Sequence, residues 1–416
     1  MKKFGAYKFY LFIESASSLL YSLAFTAMSL YEIRVARLSP LQLVLVGTTL
    51  ELSVLLCEVP TGVVADVYSH RLSIVIGLCL IGLGFLLEGL VPFFAIILLA
   101  QVLWGLGYTF TSGATQAWLS DEIGEERANK AFLRANKFGL GGSLAGMLLA
   151  ILIGNRQVSL PILVSGGLFI LLAGILSLSM PENRFHPTPM EERNSFQQML
   201  RTFRLGLQTV RQRPRLMTIL GMGLFYGLYS EGFDRLWVKH LLGRFTPSVF
   251  FGRNDIAFFG LLRATSVLLS IAATTLVEKR LDTSQPRLIG RLMFGITIGI
   301  ATSIVVFAWS PFLGLTLVVY LLISALRNLV GPLMDAWVNQ RLDSDVRATV
   351  LSMTGQVDAV GQIAGGPLIG LVASFFSVQT AITISGLLLT PALALIGRTN
   401  RKEIPAEESK EIVLRY

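Results

Sequence analysis

Several acidic residues interrupt long apolar stretches of this sequence, and these acids have the types and positions that ion coupling would need. Glu51 lies near the centre of one stretch, and Glu58 follows two turns later on the same helical face. Glu14, Glu231 and Asp358 lie inside other stretches. Charge in hydrocarbon is costly, so a carboxyl there favours its neutral, protonated form. Because a proton carrier needs reversible protonation, Glu51, Glu14, Glu231 and Asp358 are the predicted proton-coupling residues.

A second set of residues combines aromatic rings with polar or cationic groups, as the wall of a solute cavity would. On the first apolar stretch, Glu14, Tyr21 and Phe25 share one face at helical spacing. Aromatic faces with a few acids suit lipophilic cations, whereas arginines on the same cavity would favour an anion. Helix packing and lipid contact are the alternative explanation for the aromatic residues. The predicted cavity residues are Tyr21, Phe25, Gln101, Tyr108, Tyr226, Tyr229, Arg263 and Arg327.

Charged residues in the second half also have structural interpretations. Glu231 and Arg235 are four residues apart on one helix and could pair with each other. Together with Asp234, they could instead extend to the outer membrane interface. Arg327 and Asp335 could form a structural ion pair.

The apolar composition indicates which elements carry these residues. Of 416 residues, 53% are hydrophobic and 15% are charged, and the mean hydropathy is +0.65. A soluble domain has about 25% charged residues, so lipid is the solvent that fits this chain. The basic residues behind the net charge of +9 lie between the apolar stretches, as in cytoplasmic loops, and not on a nucleic-acid-binding face. Backbone groups in hydrocarbon must be satisfied within each segment, which predicts helices.

Twelve apolar stretches approach the roughly 20 residues that a spanning helix needs. The first stretch is interrupted by Glu14 and lacks a convincing cleavage site, so we expect a retained helix and not a signal peptide. The predicted fold is an all-α membrane protein with twelve transmembrane helices in two pseudo-symmetric six-helix bundles. The spans cover roughly 8–30, 41–64, 73–92, 94–118, 134–153, 159–180, 215–238, 255–277, 290–310, 312–338, 351–375 and 378–397.

One long connection, residues 181–213, divides the chain into six spans plus six. Its first part is a proline-containing linker, and apolar residues at helical spacing over 194–212 predict an amphipathic helix on the membrane surface. The expected domains are a bundle over 1–180, this linker, a bundle over 214–397 and a tail over 398–416. Most basic residues outside the spans would be inside the cell if both termini were cytoplasmic, which predicts that orientation in the inner (plasma) membrane.

The two halves also resemble each other in sequence. AWLSDE near the end of the fourth span matches AWVNQR near the end of the tenth, which aligns Trp118 with Trp337. With one inserted residue, Gly146 aligns with Gly366. Two homologous bundles with a binding site between them, near the membrane midplane, are the physical interpretation. We expect the two tryptophans to anchor the cytoplasmic interface.

The loop after the second span has the spacing of a known signature. It reads GVVADVYSHR, with Gly62, Asp66 and Arg71 at positions that recur in the major facilitator superfamily. With the twelve spans, the long central loop and the half-repeat, the whole chain resembles that superfamily. The resemblance implies that these three residues latch the halves on the cytoplasmic side. Ser69 and His70 replace a glycine and a basic residue of the signature, so we expect an altered latch.

A finer resemblance points to proton-driven drug exporters. AWLSDE followed by AFLR, and EGFDRLW in the seventh span, are similar to the branch that contains macrolide and tetracycline exporters. That branch has an arginine four residues before a glycine in the fourth span, where this chain has Gln101 before Gly105. The resemblance implies proton-coupled efflux of amphipathic or drug-like molecules by alternating access, with a changed coupling route.

Two other classes of function compete with export. An uptake facilitator or symporter for a polar or anionic nutrient would need a more polar cavity, in which Arg263 and Arg327 would favour an anion. A membrane receptor would need a sizeable extramembrane domain and a lipid-modifying enzyme a catalytic cluster, and the sequence shows neither.

No cofactor is expected. The sequence contains no GxxxxGK[ST] loop for a nucleotide, and its two cysteines and three scattered histidines have no metal-binding spacing. The expected partners are a small-molecule substrate, protons (with Na⁺ as the alternative ion) and the lipid bilayer. Nucleic acid is not expected as a partner, and the chain is predicted to be a monomer.

Overall fold

The structure is a computed structural model in which helices are joined by short loops. The amphipathic helix predicted over 194–212 and the end of the tail lie outside the described residues. The residues that the structure describes are 5–185, 187, 214–246, 254–280, 286–339 and 344–401.

Within these ranges the chain forms α-helices and no β-strand. In chain order the helices are α1 Ala6–Arg34, α2 Pro40–Val67, α3 His70–Leu90, α4 Phe94–Thr111, α5 Ala114–Ile123, α6 Glu125–Gly154, α7 Leu160–Ser179, α8 Pro214–Arg244, α9 Asp255–Arg280, α10 Pro286–Trp309, α11 Leu313–Asn339, α12 Ser344–Phe375, α13 Val378–Leu387 and α14 Thr390–Arg401.

The helices confirm the predicted all-α membrane fold. Among the described residues, eleven helical segments are long and apolar enough to cross a membrane, with α4 and α5 forming one segment and α13 and α14 another. The one remaining predicted span, the seventh in chain order, is α8, which has 31 residues. Glu231, Asp234 and Arg235 lie within α8, and their charges make it less apolar than the other spans.

Two predicted spans are each built from two helices. α4 ends at Thr111 and α5 begins at Ala114. Between them, Gly113 has a φ of 77°, a left-handed value that glycine adopts without a Cβ clash. α13 ends at Leu387 and α14 begins at Thr390. The prediction of continuous spans missed both breaks because the apolar sequence continues across them.

The chain divides into two compact units. Unit 1 comprises Met1–Gln198 and Thr246–Ala264, and unit 2 comprises Met199–Phe245 and Thr265–Tyr416. The boundary falls inside α9. The first part of α9 therefore belongs to unit 1, whereas the predicted second bundle contained the whole helix.

Glycines allow two helices of unit 1 to pack backbone against backbone. A Cβ added to Gly142 of α6 would collide with the main-chain carbonyl of Ser15 on α1. A Cβ added to Gly146 would collide with the main-chain carbonyl of Leu19. Small residues at this spacing permit the close approach of spanning helices. This contact fixes α1, the helix that carries Glu14.

Unit 2 repeats this contact between α8 and α12. Gly361 and Gly365 of α12 approach the main chain of Leu224 and Leu228 on α8 as closely as their counterparts do in unit 1. The difference 365 − 146 is 219, which equals 337 − 118 for the tryptophan pair. Gly146 therefore corresponds to Gly365. The alignment of Gly146 with Gly366 was off by one residue because two adjacent glycines left its register open.

The glycine contact predicts different outcomes for two nearby substitutions. Gly146→Ala should destabilise unit 1 by about 1–3 kcal/mol, the usual cost of an overpacked contact. Gly141→Ala is the matched control, because a Cβ at Gly141 meets nothing within 4 Å. The midpoint of thermal aggregation in detergent should fall for Gly146→Ala alone. Equal midpoints for the two variants would contradict this packing.

The two tryptophans of the half-repeat are buried, contrary to the expected interface position. Trp118 is 1% exposed and Trp337 is 0% exposed. The Trp118 indole donates a 2.6 Å hydrogen bond to the carbonyl of Pro181, and its ring packs edge-on against Phe9. The indole N–H is therefore satisfied inside unit 1, and Trp118 tethers the start of the linker.

A cavity in unit 2 as the candidate functional site

A cavity of about 460 Å³, called here the unit-2 cavity, lies between α8, α11 and α12. Its volume is in the range of about 300–1,000 Å³ that is typical of small-molecule sites. Nine of its fourteen lining residues have polar or charged side chains. They are Tyr226, Tyr229, Ser230, Asp234, Arg327, Asp335, Thr354, Asp358 and Gln362.

The unit-2 cavity brings together four of the residues predicted from sequence. Tyr226 and Tyr229 come from α8, Arg327 from α11 and Asp358 from α12. The sequence suggested each of them separately. Their shared cavity arises from the packing of α12 along α8, which the glycine contacts fix.

An ion pair crosses the cavity wall from α11 to α8. The Arg327 guanidinium contacts both carboxylate oxygens of Asp234, with Nη2–Oδ2 at 2.7 Å. The guanidinium also lies 5.5 Å from the ring centre of Tyr229 and 5.8 Å from that of Phe233. This two-bond geometry suits the planar guanidinium. The sequence had suggested Asp335 as the partner of Arg327, but the partner in the structure is Asp234.

Two tyrosines of α8 form a fixed aromatic wall of the cavity. The Tyr226 hydroxyl donates a 2.7 Å hydrogen bond to Thr297 Oγ1, which in turn donates to the Met293 carbonyl. The rings of Tyr226 and Tyr229 pack edge to face with centroids 5.8 Å apart. Both tyrosines are largely buried, at 9% and 2% exposed. They offer an apolar, π-rich surface that does not depend on mobile side chains.

Asp358 and Asp335 are the other acids of the cavity wall. Asp358 is half-buried, and its Oδ2 accepts a 2.8 Å hydrogen bond from Gln362 Nε2. Asp335 is exposed to the cavity and makes no hydrogen bond or ion pair with any residue that the structure describes. Sequence reasoning missed Asp335 as a site residue because it had assigned this side chain to a pair with Arg327.

Glu231 lies outside the lining of the unit-2 cavity. It is buried, at 4% exposed, and its carboxylate accepts a 2.9 Å hydrogen bond from Arg235 Nε. The four-residue spacing had indicated this pair. The burial of Glu231 does not fit the alternative in which it extends to the membrane interface.

The two acids predicted in the first half are half-buried in unit 1. Glu14 lies on α1, where the phenol of Tyr10 is its hydrogen-bond partner one turn away. Glu51 lies on α2 and is also half-buried. Neither position tests the predicted role in proton coupling, which stays a prediction.

Aromatic rings of unit 1 form one packed cluster. Tyr21 and Phe25 of α1 are stacked at 5.5 Å, and Phe25 lies 5.1 Å from Trp104 of α4. Phe85 and Phe169 close the cluster and are fully buried. Within this cluster, Tyr21 and Phe25 are half-buried. Tyr21 and Phe25 therefore pack against other rings and also keep part of their surface accessible. Both interpretations of these residues, cavity wall and helix packing, are compatible with this position.

The remaining cavity candidates also lie in unit 1. Gln101 is fully buried, and its amide donates a 2.8 Å hydrogen bond to Glu88, another fully buried side chain. Arg263 donates a 2.8 Å hydrogen bond to the main-chain carbonyl of Phe25. Tyr108 is 46% exposed. Sequence reasoning missed Glu88, although its place inside an apolar stretch was the signal that singled out Glu51.

Of the three predicted latch residues, Arg71 contacts the start of the central linker within unit 1. Arg71 donates through Nη1 to the Met180 carbonyl at 3.3 Å. Asp66 is exposed, and a Cβ at Gly62 would meet nothing within 4 Å. The strongest contact of this loop was not foreseen. Glu182 caps α3 by accepting hydrogen bonds from the Ser69 hydroxyl at 2.6 Å and from the Arg71 amide at 2.9 Å.

Glu182→Ala is expected to release the start of the linker, since the substitution removes both bonds to α3. Loss of such a cap costs about 0.5–2 kcal/mol. Maleimide should then label a cysteine at Asn183 several-fold faster, in a background where Cys57 and Cys79 are serine. Glu126→Ala is the control, because Glu126 is exposed and pairs with Lys130. Equal labelling rates in the two variants would argue against the cap.

The structure offers no metal centre within the part of the chain that it describes, since no three His, Cys, Asp or Glu side chains converge there. The cavity chemistry is that of charge recognition.

Comparison with known families decides the class of protein. The sequence profile of the Major Facilitator Superfamily matches residues 10–365.

The chain belongs to the Major Facilitator Superfamily. It is therefore a multi-pass membrane protein with the fold of secondary transporters and not of enzymes. A relative with a similar length is the uncharacterized MFS-type transporter YxaM of Bacillus subtilis (strain 168). It is 21% identical over 377 residues, which cover 89% of this chain and 92% of the relative.

Solved structures of transporters share the fold at low sequence identity. The nucleoside transporter NupG has a TM-score of 0.75 at 14% identity, and the match covers 94% of this chain and 99% of that transporter. A bacterial homologue of the human lysosomal transporter Spinster has a TM-score of 0.70 at 16% identity, covering 95% and 97%. A D-xylose–proton symporter has a TM-score of 0.66 at 14% identity, covering 94% and 97%.

Proposed function

We propose that this superfamily member is a proton-coupled secondary transporter that exports small amphipathic organic cations by alternating access. The observation that carries the proposal is the charge of the unit-2 cavity. Three carboxylates and one guanidinium line the described wall of the cavity. Two tyrosines provide an apolar face beside these charges. Acids next to aromatic rings recognise a cation that carries an apolar group.

The arrangement of the arginines supports a cation over an anion. Arg327 is neutralised by Asp234 through two hydrogen bonds. Arg263 donates to a main-chain carbonyl of its own unit. In the unit-2 cavity, an anionic solute would have to displace Asp234 from Arg327 and would also face Asp335 and Asp358. The cavity potential therefore favours positive charge.

Uptake of a polar solute is the second candidate function. Nine of fourteen lining residues are polar, which is the feature that this alternative requires. The nucleoside transporter and the D-xylose–proton symporter that share the fold carry polar solutes, as their names state. The polar wall would suit a hydrophilic cation whether the chain imports or exports it. The direction of transport therefore needs its own measurement.

The coupling ion is proposed to be a proton, carried by one of the membrane-embedded acids. Of the predicted carriers, Asp358 lines the unit-2 cavity and Glu231 is paired with Arg235. Glu14 and Glu51 stay candidates in unit 1. We also propose that the chain works as a monomer in the plasma membrane, with both termini in the cytoplasm.

Vesicle transport tests the function and its direction together. Inside-out membrane vesicles containing the chain should accumulate a fluorescent organic cation when their interior is acidified, and a protonophore should abolish the accumulation. Right-side-out vesicles with an alkaline interior should accumulate it only if the chain is a proton symporter that works in uptake. Vesicles without the chain control for passive partition of the dye. Accumulation that ignores the pH gradient in both orientations would exclude proton coupling.

A further inference from the structure

The acids of the unit-2 cavity differ in the bonds that hold them. Asp234 accepts two hydrogen bonds from Arg327, one of them at 2.7 Å. Asp358 accepts one from Gln362 at 2.8 Å. Asp335 has no such bond to any residue in the described ranges, although it lines the same cavity and is exposed to it. Its carboxylate is therefore the acid that is open to a bound solute.

The surroundings of Asp335 match a solute with both a charged and an apolar part. Asp335 follows Met334 on α11, and both residues line the cavity with Tyr226 and Tyr229 of α8. The two tyrosines are held in place by packing and by the hydrogen bond to Thr297. An apolar, aromatic surface thus lies in the same 460 Å³ space as a carboxylate that has no partner among the described residues.

We propose that Asp335 binds the ammonium group of the transported cation, while Tyr226 and Tyr229 contact its apolar part. The inference rests on the proposed function and adds the residue that selects for charge. Binding at Asp335 breaks no bond within the described protein. Binding at Asp234 would require the cation to displace the Arg327 guanidinium, and binding at Asp358 would compete with the Gln362 amide.

A purely structural role for Asp335 does not fit its position. A carboxylate that stabilises a fold accepts hydrogen bonds or pairs with a cation, as Asp234 does in the same wall. Asp335 is exposed and makes neither contact within the described residues. Its replacement should therefore change binding much more than stability.

The test compares a cation with an uncharged molecule of the same shape. The purified full-length chain is placed in lipid nanodiscs, and the Kd is measured by isothermal titration calorimetry. The probes are benzyltrimethylammonium and neopentylbenzene, in which carbon replaces the ammonium nitrogen. Asp335→Asn should raise the Kd of the cation about tenfold, which corresponds to about 1.4 kcal/mol, and leave that of neopentylbenzene unchanged.

Two further variants separate charge from structure. Asp335→Glu keeps the carboxylate and should restore the Kd of the cation to within about threefold of wild type, less than the tenfold loss. Glu126→Gln removes an exposed acid of unit 1 and should change neither Kd. If Asp335→Asn does not remain monodisperse, Asp335→Ser tests the same loss of charge.

The possible results distinguish this inference from the proposed function. If the wild-type chain does not prefer benzyltrimethylammonium to neopentylbenzene, the cation-transport proposal itself fails. If wild type prefers the cation and Asp335→Asn keeps the same preference, the cation binds elsewhere and the assignment to Asp335 is wrong. Loss of the preference in Asp335→Asn, with recovery in Asp335→Glu, supports the assignment.

Discussion

Replacing Arg327 with alanine is expected to lower cation transport by about ten- to a hundredfold while the protein still reaches the membrane. The substitution leaves the Asp234 carboxylate without the two hydrogen bonds that it accepts in the unit-2 cavity. Hydrogen bonds to charged groups contribute about 1.5–3 kcal/mol, and each 1.4 kcal/mol is tenfold in an equilibrium constant. The Arg327 and Asp234 side chains are 26% and 44% exposed, so solvent reduces the loss. The measurement is the initial rate of cation uptake by inside-out vesicles.

Three variants show whether this loss comes from the ion pair. Arg327→Lys should recover only part of the rate, because an ammonium cannot reproduce the planar two-bond geometry of a guanidinium. Asp234→Asn should impair transport as Arg327→Ala does. The exchanged pair Asp234→Arg/Arg327→Asp should transport better than either reversed single variant. If the double variant is no better than the singles, the two residues do not act as a pair.

Asp358→Asn is expected to abolish the dependence of transport on the pH gradient while leaving solute exchange in place. An asparagine can still accept the hydrogen bond from Gln362 but cannot take up or release a proton at that position. Asp234, Arg327 and Asp335 line the same cavity, so a cation bound there would sense the charge of Asp358 directly. Gradient-driven uptake should fall to the level of vesicles without the chain, and exchange of labelled for unlabelled cation should stay within about threefold of wild type.

The same pair of assays ranks the other predicted proton carriers. Glu51→Gln, Glu14→Gln and Glu231→Gln are measured beside Asp358→Asn. Glu231→Gln also breaks the buried pair with Arg235, so a lower yield of folded protein is expected for this variant. If one of these variants loses gradient-driven uptake and Asp358→Asn keeps it, the proton is carried there and not at Asp358.

The sequence predicted the fold because hydrocarbon imposes strict requirements on it. A spanning segment must satisfy its own backbone, so apolar stretches near 20 residues specify helices directly. The signature around Gly62, Asp66 and Arg71 and the half-repeat then pointed to the superfamily. Helix breaks such as the one at Gly113 were not predicted, because they depend on local φ/ψ values within a stretch that stays apolar.

The site was only partly predictable, because charge pairing depends on which helix faces meet. The structure brings Arg327 together with Tyr226, Tyr229 and Asp358 in one cavity, whereas the sequence had suggested each of them separately. Its partner Asp234 lies 93 positions away in the sequence, a separation that no helical spacing rule covers. Arg327 was consequently paired with Asp335, a residue of its own helix, and not with Asp234. The close contact of α8 with α12, set by Gly361 and Gly365, determines which side chains of these two helices share the cavity.

The most direct test of cation–proton antiport uses the purified chain in proteoliposomes that enclose a pH-sensitive dye. The membrane potential is clamped with K⁺ and valinomycin, and benzyltrimethylammonium, which carries no exchangeable proton, is added outside. Antiport predicts that the lumen becomes more alkaline as the cation enters and protons leave, and that Asp358→Asn shows no such change. A lumen that stays at the pH of empty liposomes, or that becomes more acidic, would contradict the account.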